Sequence, residues 1–287
     1  MINITVAHSP DADDIFMYYA IRFGWVGLDK VSFQNIALDI ETLNEGALKN
    51  EYDVCAISFA LYPKIRDEYA LLTTAMSFGE GYGPKLVKPK GKKLKRNFKV
   101  ALSGANTTNA MLFRIAYPEA RISYMNFLEI EGAVLDGTVD AGVLIHEAIL
   151  TYSDELEVER EIWDIWVELS GGGLPLPLGG MAIRRSMPLV RAIRCEETLT
   201  RAVEVAAKNR VQLSKMLFER NLIRVDDKKL EKYLSLYANE QSIKLDEVGQ
   251  KAIDKLFEVG FNAGFYDELI KSEGYTLPKE YNELRYS

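Results

Sequence analysis

The chain has only two histidines and two cysteines among 287 residues, and that scarcity removes several chemistries at once. Cys55 and Cys195 lie far apart, in neither a metal-ligand nor a redox spacing. Cys55 sits in the apolar run "YDVCAISFA", where a reduced cysteine acts as a small hydrophobe. His8 and His146 form no H-x-x-x-H pair, so no metal site is expected. G-x-S-x-G is absent, and no Lys follows a glycine turn at Walker spacing. No apolar run approaches the ~20 residues that a membrane-spanning helix needs. An excess of positive charge is missing too. The net charge of −7 argues against a nucleic-acid surface, whose phosphates call for Lys and Arg. The basic stretch "KPKGKKLKRNFK" (88–99) contains a Pro and a Gly and has the composition of a solvated connector. "MINITVAHSP" enters a strand pattern with neither a basic start nor a continuous apolar stretch. A cytoplasmic protein without disulfides, cofactor, nucleic-acid partner or membrane partner is therefore expected.

What is present is ample core material. The chain is 48% hydrophobic and carries 12 Phe and 15 Tyr, enough for one large or two medium domains. Strand patterns at "INITVAH" (2–8), "SFQNIALDI" (32–40) and "DVCAISFA" (53–60) are separated by helical patterns in "DADDIFMYYAIRFGW" and "ETLNEGALKNE". After the basic connector the alternation resumes. "FKVALSG" (98–104), "ISYMNF" and "AGVLIHE" are strand patterns, with helices in "NTTNAMLFRIAYPEA" and "LEIEGAVLDGTVD" between them. Gly and Pro cluster in "LSGGGLPLPLGGMAIRR" (169–185), which marks a second crossing. From about Met187 the pattern is mainly helical. In "LDEVGQKAIDKLFEVGFNAGF" residues Leu245, Val248, Ala252, Leu256 and Val259 share one expected core face.

The expected architecture is α/β, with two lobes around a ligand cleft. Residues 1–88 and 180–287 would form one lobe, including the C-terminal helices, and residues 89–179 the other. Ligands of open α/β sheets lie beyond the carboxyl ends of the strands, so the strand-to-helix junctions are the candidate site. "HSPDADD" (8–14) ends a strand, turns at Pro10 and begins a helix, with Ser9 or Asp11 as cap or cleft residue. "SGANTTNA" (103–110) sets small residues before a helix, and its first-turn N–H groups and hydroxyls suit a carboxylate or phosphate. An ordinary N-cap explains it as well. Ser58 stands at a strand end in "ISFALYP", and three glycines in "SFGEGYGPKLV" permit close backbone approach to a ligand.

His146 closes the apolar run of "AGVLIHEAIL", with Glu147 immediately after it. The residues alone leave two readings open. One is a core histidine satisfied by a carbonyl. The other is a general base at the rim of a cleft, a role that suits imidazole near neutral pH.

"AHSPDADDIFMYYAI", "CAISFALYP", "SFGEGYGPKLV", "SGANTTNAMLF", "AGVLIHEAILTY" and "GLPLPLGGMAIRR" resemble, in that order, the blocks of the menaquinone-biosynthesis family of the futalosine pathway. The resemblance runs from residue 2 to about residue 265, with "LIHE" and "LPLGG" as its most specific parts. It implies a fold like type II periplasmic binding proteins. It also implies cofactor-free carbon–carbon cleavage of cyclic dehypoxanthine futalosine to a dihydroxynaphthoate. On that resemblance His146 is the catalytic base, and Thr107 and Thr108 line the pocket for a small-molecule carboxylate substrate. Ser103 and Asn106 are expected to help hold the carboxylate, Ser58 and Ser9 to add polar contacts, and Tyr152 to wall the pocket. Chorismate dehydratase, of the same superfamily, and a non-catalytic carboxylate-binding protein are the rival readings. "KKLEKYLSLYANEQ" could pack on the first lobe or make a homodimer contact.

Overall fold

The computed structural model describes residues 2–9, 18–220, 230 and 243–278. The expected helix start at Asp11 and most of "KKLEKYLSLYANEQ" lie outside the described residues. Among the described residues, eleven strands run in chain order: β1 (Ile2–His8), β2 (Val31–Ala37), β3 (Val54–Ser58), β4 (Tyr69–Leu71), β5 (Ser77–Gly79), β6 (Lys85–Pro89), β7 (Lys99–Leu102), β8 (Arg121–Tyr124), β9 (Ala141–Leu144), β10 (Leu156–Glu161) and β11 (Leu176–Arg184). The labelled helices are α1 (Ile40–Leu48), α2 (Tyr62–Ile65), α3 (Thr108–Ala116), α4 (Ile130–Leu135), α5 (Ala148–Thr151), α6 (Ile162–Ser170), α7 (Leu189–Lys208), α8 (Arg210–Glu219) and α9 (Glu247–Asn262). Residues 18–22 are helical as well.

Two sheets result, and they share one plan. In the first, the neighbours run β2-β1-β3-β11-β4, with β5 also on β11. In the second the order is β10-β6-β9-β7-β8. β2, β1 and β3 are mutually parallel, as are β8, β7 and β9. Each parallel trio has its first strand in the middle. Each trio then takes one antiparallel neighbour, β11 on β3 and β6 on β9. Those two neighbours are the first strands after the chain passes from one sheet to the other.

The expected boundaries shift accordingly. A break at 88/89 would cut β6, which pairs wholly with β9 and β10, so the first crossing lies before Lys85. A break at 179/180 would cut β11, which already pairs with β5 at Leu176. β3 and β9 are buried at every residue, as central strands covered on both faces must be. Their unbroken apolar runs follow from that burial.

The helix α9 corrects one expected face. Asp246 caps it, its side chain accepting from the Gly249 N–H at 2.7 Å, so Leu245 precedes the helix. Val248 is 45% exposed, while Gly249, Ala252, Ile253, Leu256, Phe257 and Gly260 face inward. A Cβ at Gly260 would come within 2.2 Å of the Tyr266 ring, so this face packs through its smallest residues. Hydrophobic periodicity does not register glycine, which is why the pattern missed the face by a fraction of a turn. Burying Leu256 and Phe257 stabilises the fold by about 1.5–3 kcal/mol each.

Candidate active site

The carboxyl ends of the parallel strands converge. β1 ends at His8, β3 at Ser58, β7 at Leu102 and β9 at Leu144. In each trio the chain leaves the middle strand to one side and returns on the other, which creates the crevice where α/β sheets bind ligands. β7 and β9 are adjacent, with Val100 opposite Ala141 and Ala101 opposite Gly142. Ser103 and His146 therefore leave the second sheet on neighbouring strands about 5 Å apart. The first sheet's edge meets them directly. The Thr108 hydroxyl, at the start of α3, donates to the Leu178 carbonyl of β11 at 2.9 Å and accepts from the Ala60 N–H at 3.2 Å.

His146 lies two residues beyond β9, not on the strand. Its φ of 54° is in the left-handed region, which few residues other than glycine adopt. Such strain costs about 1–3 kcal/mol and concentrates at functional sites. The ring meets the Phe127 edge, centroids 5.0 Å apart at 72°; the residue as a whole is half-buried and its Nε2 is buried. Phe127 comes from the loop after β8 and is buried, so its ring limits how the imidazole can turn. His8 contrasts at every point. It is 0% exposed, stacks on Tyr18, and has Nδ1 2.7 Å from the Ser9 carbonyl and Nε2 2.5 Å from Asn35 Oδ1. A histidine enclosed in this way is a packing residue.

The loop before α3 is where the structure adds most. Thr107 caps the helix, its hydroxyl accepting from the Ala110 N–H at 3.3 Å and lying 2.6 Å from Asn109 Oδ1. The N–H groups of Thr108 and Asn109, first in the helix, have no intrahelical acceptor. Ser103 is 4% exposed, and its hydroxyl has no hydrogen-bond partner among the described residues. A buried hydroxyl without a partner costs about 1–3 kcal/mol, so one is normally supplied. Asn106 is already engaged. Its backbone N–H and Nδ2 both donate to the carboxylate of Glu41, in the first turn of α1.

Ser58 is held by a second residue of α1. Asn44 Oδ1 accepts from the Ser58 N–H at 3.0 Å, and Asn44 Nδ2 donates to Ser58 Oγ at 3.1 Å. Ser9 is buried beyond β1, and Glu147 is buried beside His146. Tyr152 is half-buried at the end of α5 and packs on the core. Hydrogen bonds to the first sheet and to α1 thus bring Asn106 and Thr108, with Ser103 and Thr107 in the same loop, to the edge where the two sheets meet. Ser58 is held by the same helix α1, while His146 follows the strand next to β7. Glu41, Asn44 and Phe127 join them unanticipated. "ETLNEGAL" carries Glu41 and Asn44 three apart, hence on one helix face, and that spacing was the available signal.

Burial pushes the Glu41 carboxyl up from its ordinary value, against the opposing pull of the Asn106 and Ala105 hydrogen bonds. Among the described residues no three of His, Cys, Asp and Glu converge as metal ligands. No helix among them is long and apolar enough to cross a membrane.

The chain is similar to known proteins over most of its length. A family model for menaquinone biosynthesis matches residues 4–262. The 1,4-dihydroxy-6-naphthoate synthase of Streptomyces coelicolor is 31% identical over 262 residues, covering 88% of this chain and 90% of that one. A solved structure from Archaeoglobus fulgidus is 34% identical, with a TM-score of 0.84 over 92% of this chain and 98% of that one. The alkanesulfonate-binding protein of Xanthomonas axonopodis pv. citri shares the fold at 11% identity. Its TM-score is 0.67, with 96% of this chain and 98% of that one covered. The two-lobed α/β fold is that of periplasmic binding proteins, and by the extent of its match the chain belongs to the menaquinone-biosynthesis family.

Proposed function

We propose that the chain is a 1,4-dihydroxy-6-naphthoate synthase that cleaves cyclic dehypoxanthine futalosine, with His146 as general base. The observation that carries this reading is the placement of His146. A half-buried histidine on a left-handed backbone, its ring against Phe127, follows β9, and the adjacent strand β7 runs out to the buried Ser103 hydroxyl and the start of α3. The likeness to the Streptomyces coelicolor synthase supports the choice of substrate.

In this mechanism the substrate carboxylate lies against the Thr108 and Asn109 N–H groups and the Ser103 hydroxyl, with the α3 dipole favouring its charge. The Ser58 hydroxyl adds a contact from the opposite sheet. His146 removes a hydroxyl proton, and the oxygen's electron pair forms a carbonyl as the adjacent carbon–carbon bond breaks. The pair of the broken bond passes into the substrate ring as an enolate that is then protonated. Aromatisation of the bicyclic product drives the step. General-base participation contributes ~10²- to 10⁴-fold. The Asn106 and Thr108 side chains, bonded to Glu41 and to Leu178 and Ala60, shape this pocket more than they touch the carboxylate.

Incubation with cyclic dehypoxanthine futalosine and, separately, with chorismate tests the proposal. Naphthoate formation from the first, followed by mass, is the expected result. Turnover of chorismate alone, or saturable binding without product, would overturn it.

A further inference from the structure

A carboxylate of the chain's own occupies half of the donor set before α3. Glu41 Oε1 accepts from the Ala105 N–H at 3.0 Å, the Asn106 N–H at 3.2 Å and Asn106 Nδ2 at 2.8 Å. Oε2 accepts from the Asn106 N–H at 3.1 Å. These partners lie 64 and 65 positions away in sequence, on the other sheet's loop. Asp39 holds the near end of the arrangement, its carboxylate capping α1 through the Glu41 and Thr42 N–H groups. Gly104 holds the far end, because a Cβ there would fall 2.2 Å from Glu41 Oε2 and 2.5 Å from Glu41 Cβ. Only a residue without a side chain leaves room for this carboxylate.

We propose that Glu41 is a positioning residue that latches the loop 103–108 to α1 and so holds the substrate-carboxylate donors in place across the two lobes. The kinetic part of the inference rests on the proposed function. The latch itself does not. Ser103, Thr108 and Asn109 stand within three residues of the latched amides, so their geometry depends on where those amides are pinned. A carboxylate suits the task because its two oxygens accept three N–H groups at once. The hydrogen bonds are charge-assisted and span the cleft at a point that is only partly buried. Glutamine keeps one acceptor oxygen, and alanine keeps none.

Hydrogen exchange of the 103–108 segment, read by mass spectrometry, tests the latch directly. In Glu41→Ala and in Gly104→Ala, with folding checked by thermal melt, the amides there should exchange at least ~10-fold faster. Glu41→Gln should fall between, and the β7 amides should not change. On the synthase assay the same variants should raise KM ~10-fold while kcat stays within ~3-fold, the signature of lost ground-state binding geometry. Unchanged exchange would overturn the latch. Faster exchange with unaltered KM, or with a loss confined to kcat, would overturn the positioning role. Faster exchange in a protein whose wild type shows no turnover would leave the latch standing and bring down the synthase reading instead.

Discussion

Asn44 and Ser58 hold each other by two reciprocal hydrogen bonds, one through the Ser58 N–H and one through its hydroxyl. Because Asn44 Nδ2 donates to Ser58 Oγ, the serine's own proton is left to point elsewhere. Replacing Asn44 with Ala strands a buried N–H, which costs about 1–3 kcal/mol. The melt of Asn44→Ala should fall by several degrees. Ser58→Ala, which removes only the hydroxyl, should melt closer to wild type and lose substrate affinity instead.

Thr108 joins the sheets through a saturated hydroxyl, donor to Leu178 and acceptor from Ala60. Thr108→Val keeps the shape and leaves both backbone groups without that partner. We expect a loss of about 1–3 kcal/mol in denaturant unfolding. Thr107→Ala, which loses the helix cap and the hydroxyl's bonds to Gly104 and Asn109, should cost about 1–2 kcal/mol.

Burial raises the Glu41 carboxyl above its ordinary value of 4.5, so between that value and the raised one the folded chain binds the extra proton. The stability this proton contributes is complete below the ordinary value and is lost as pH rises through the folded one. Relative to Glu41→Gln, wild type should therefore gain melting temperature as pH falls from 7.5 toward 4.5. A constant difference across that range would contradict the burial.

Neither thiol should react in the folded protein. Cys55 and Cys195 are both 0% exposed, and burial pushes the Cys195 thiol up to about 12 and Cys55 higher still. Only the thiolate is nucleophilic, so iodoacetamide at pH 8 should leave both unlabelled until denaturant is added. Labelling of either in the native state would show an opening that this core does not have.

The central parallel strands were legible because "AGVL" and "VCAIS" are apolar runs ended by a turn and need no long-range information. The candidate positions Ser58, Ser103 and His146 were legible for the same reason, since each follows or ends such a run. Glu41 was not. Its partners lie on a loop of the other sheet, and no local spacing reports which carboxylate meets which amides. The left-handed turn at His146 was hidden too, because nothing in "LIHE" marks the strand as ending at Leu144. Packing through Gly249 and Gly260 escaped a pattern that counts only large apolar side chains.

The central claim is that His146 takes the proton. It is best tested by single-turnover conversion of cyclic dehypoxanthine futalosine by wild type, His146→Ala and His146→Asn. Asparagine tolerates the left-handed backbone better than alanine and should give the more stable variant. Both variants, though folded, should lose ~10²- to 10⁴-fold in kcat. A folded variant that releases naphthoate at the wild-type rate would contradict the account and return His146 to the core.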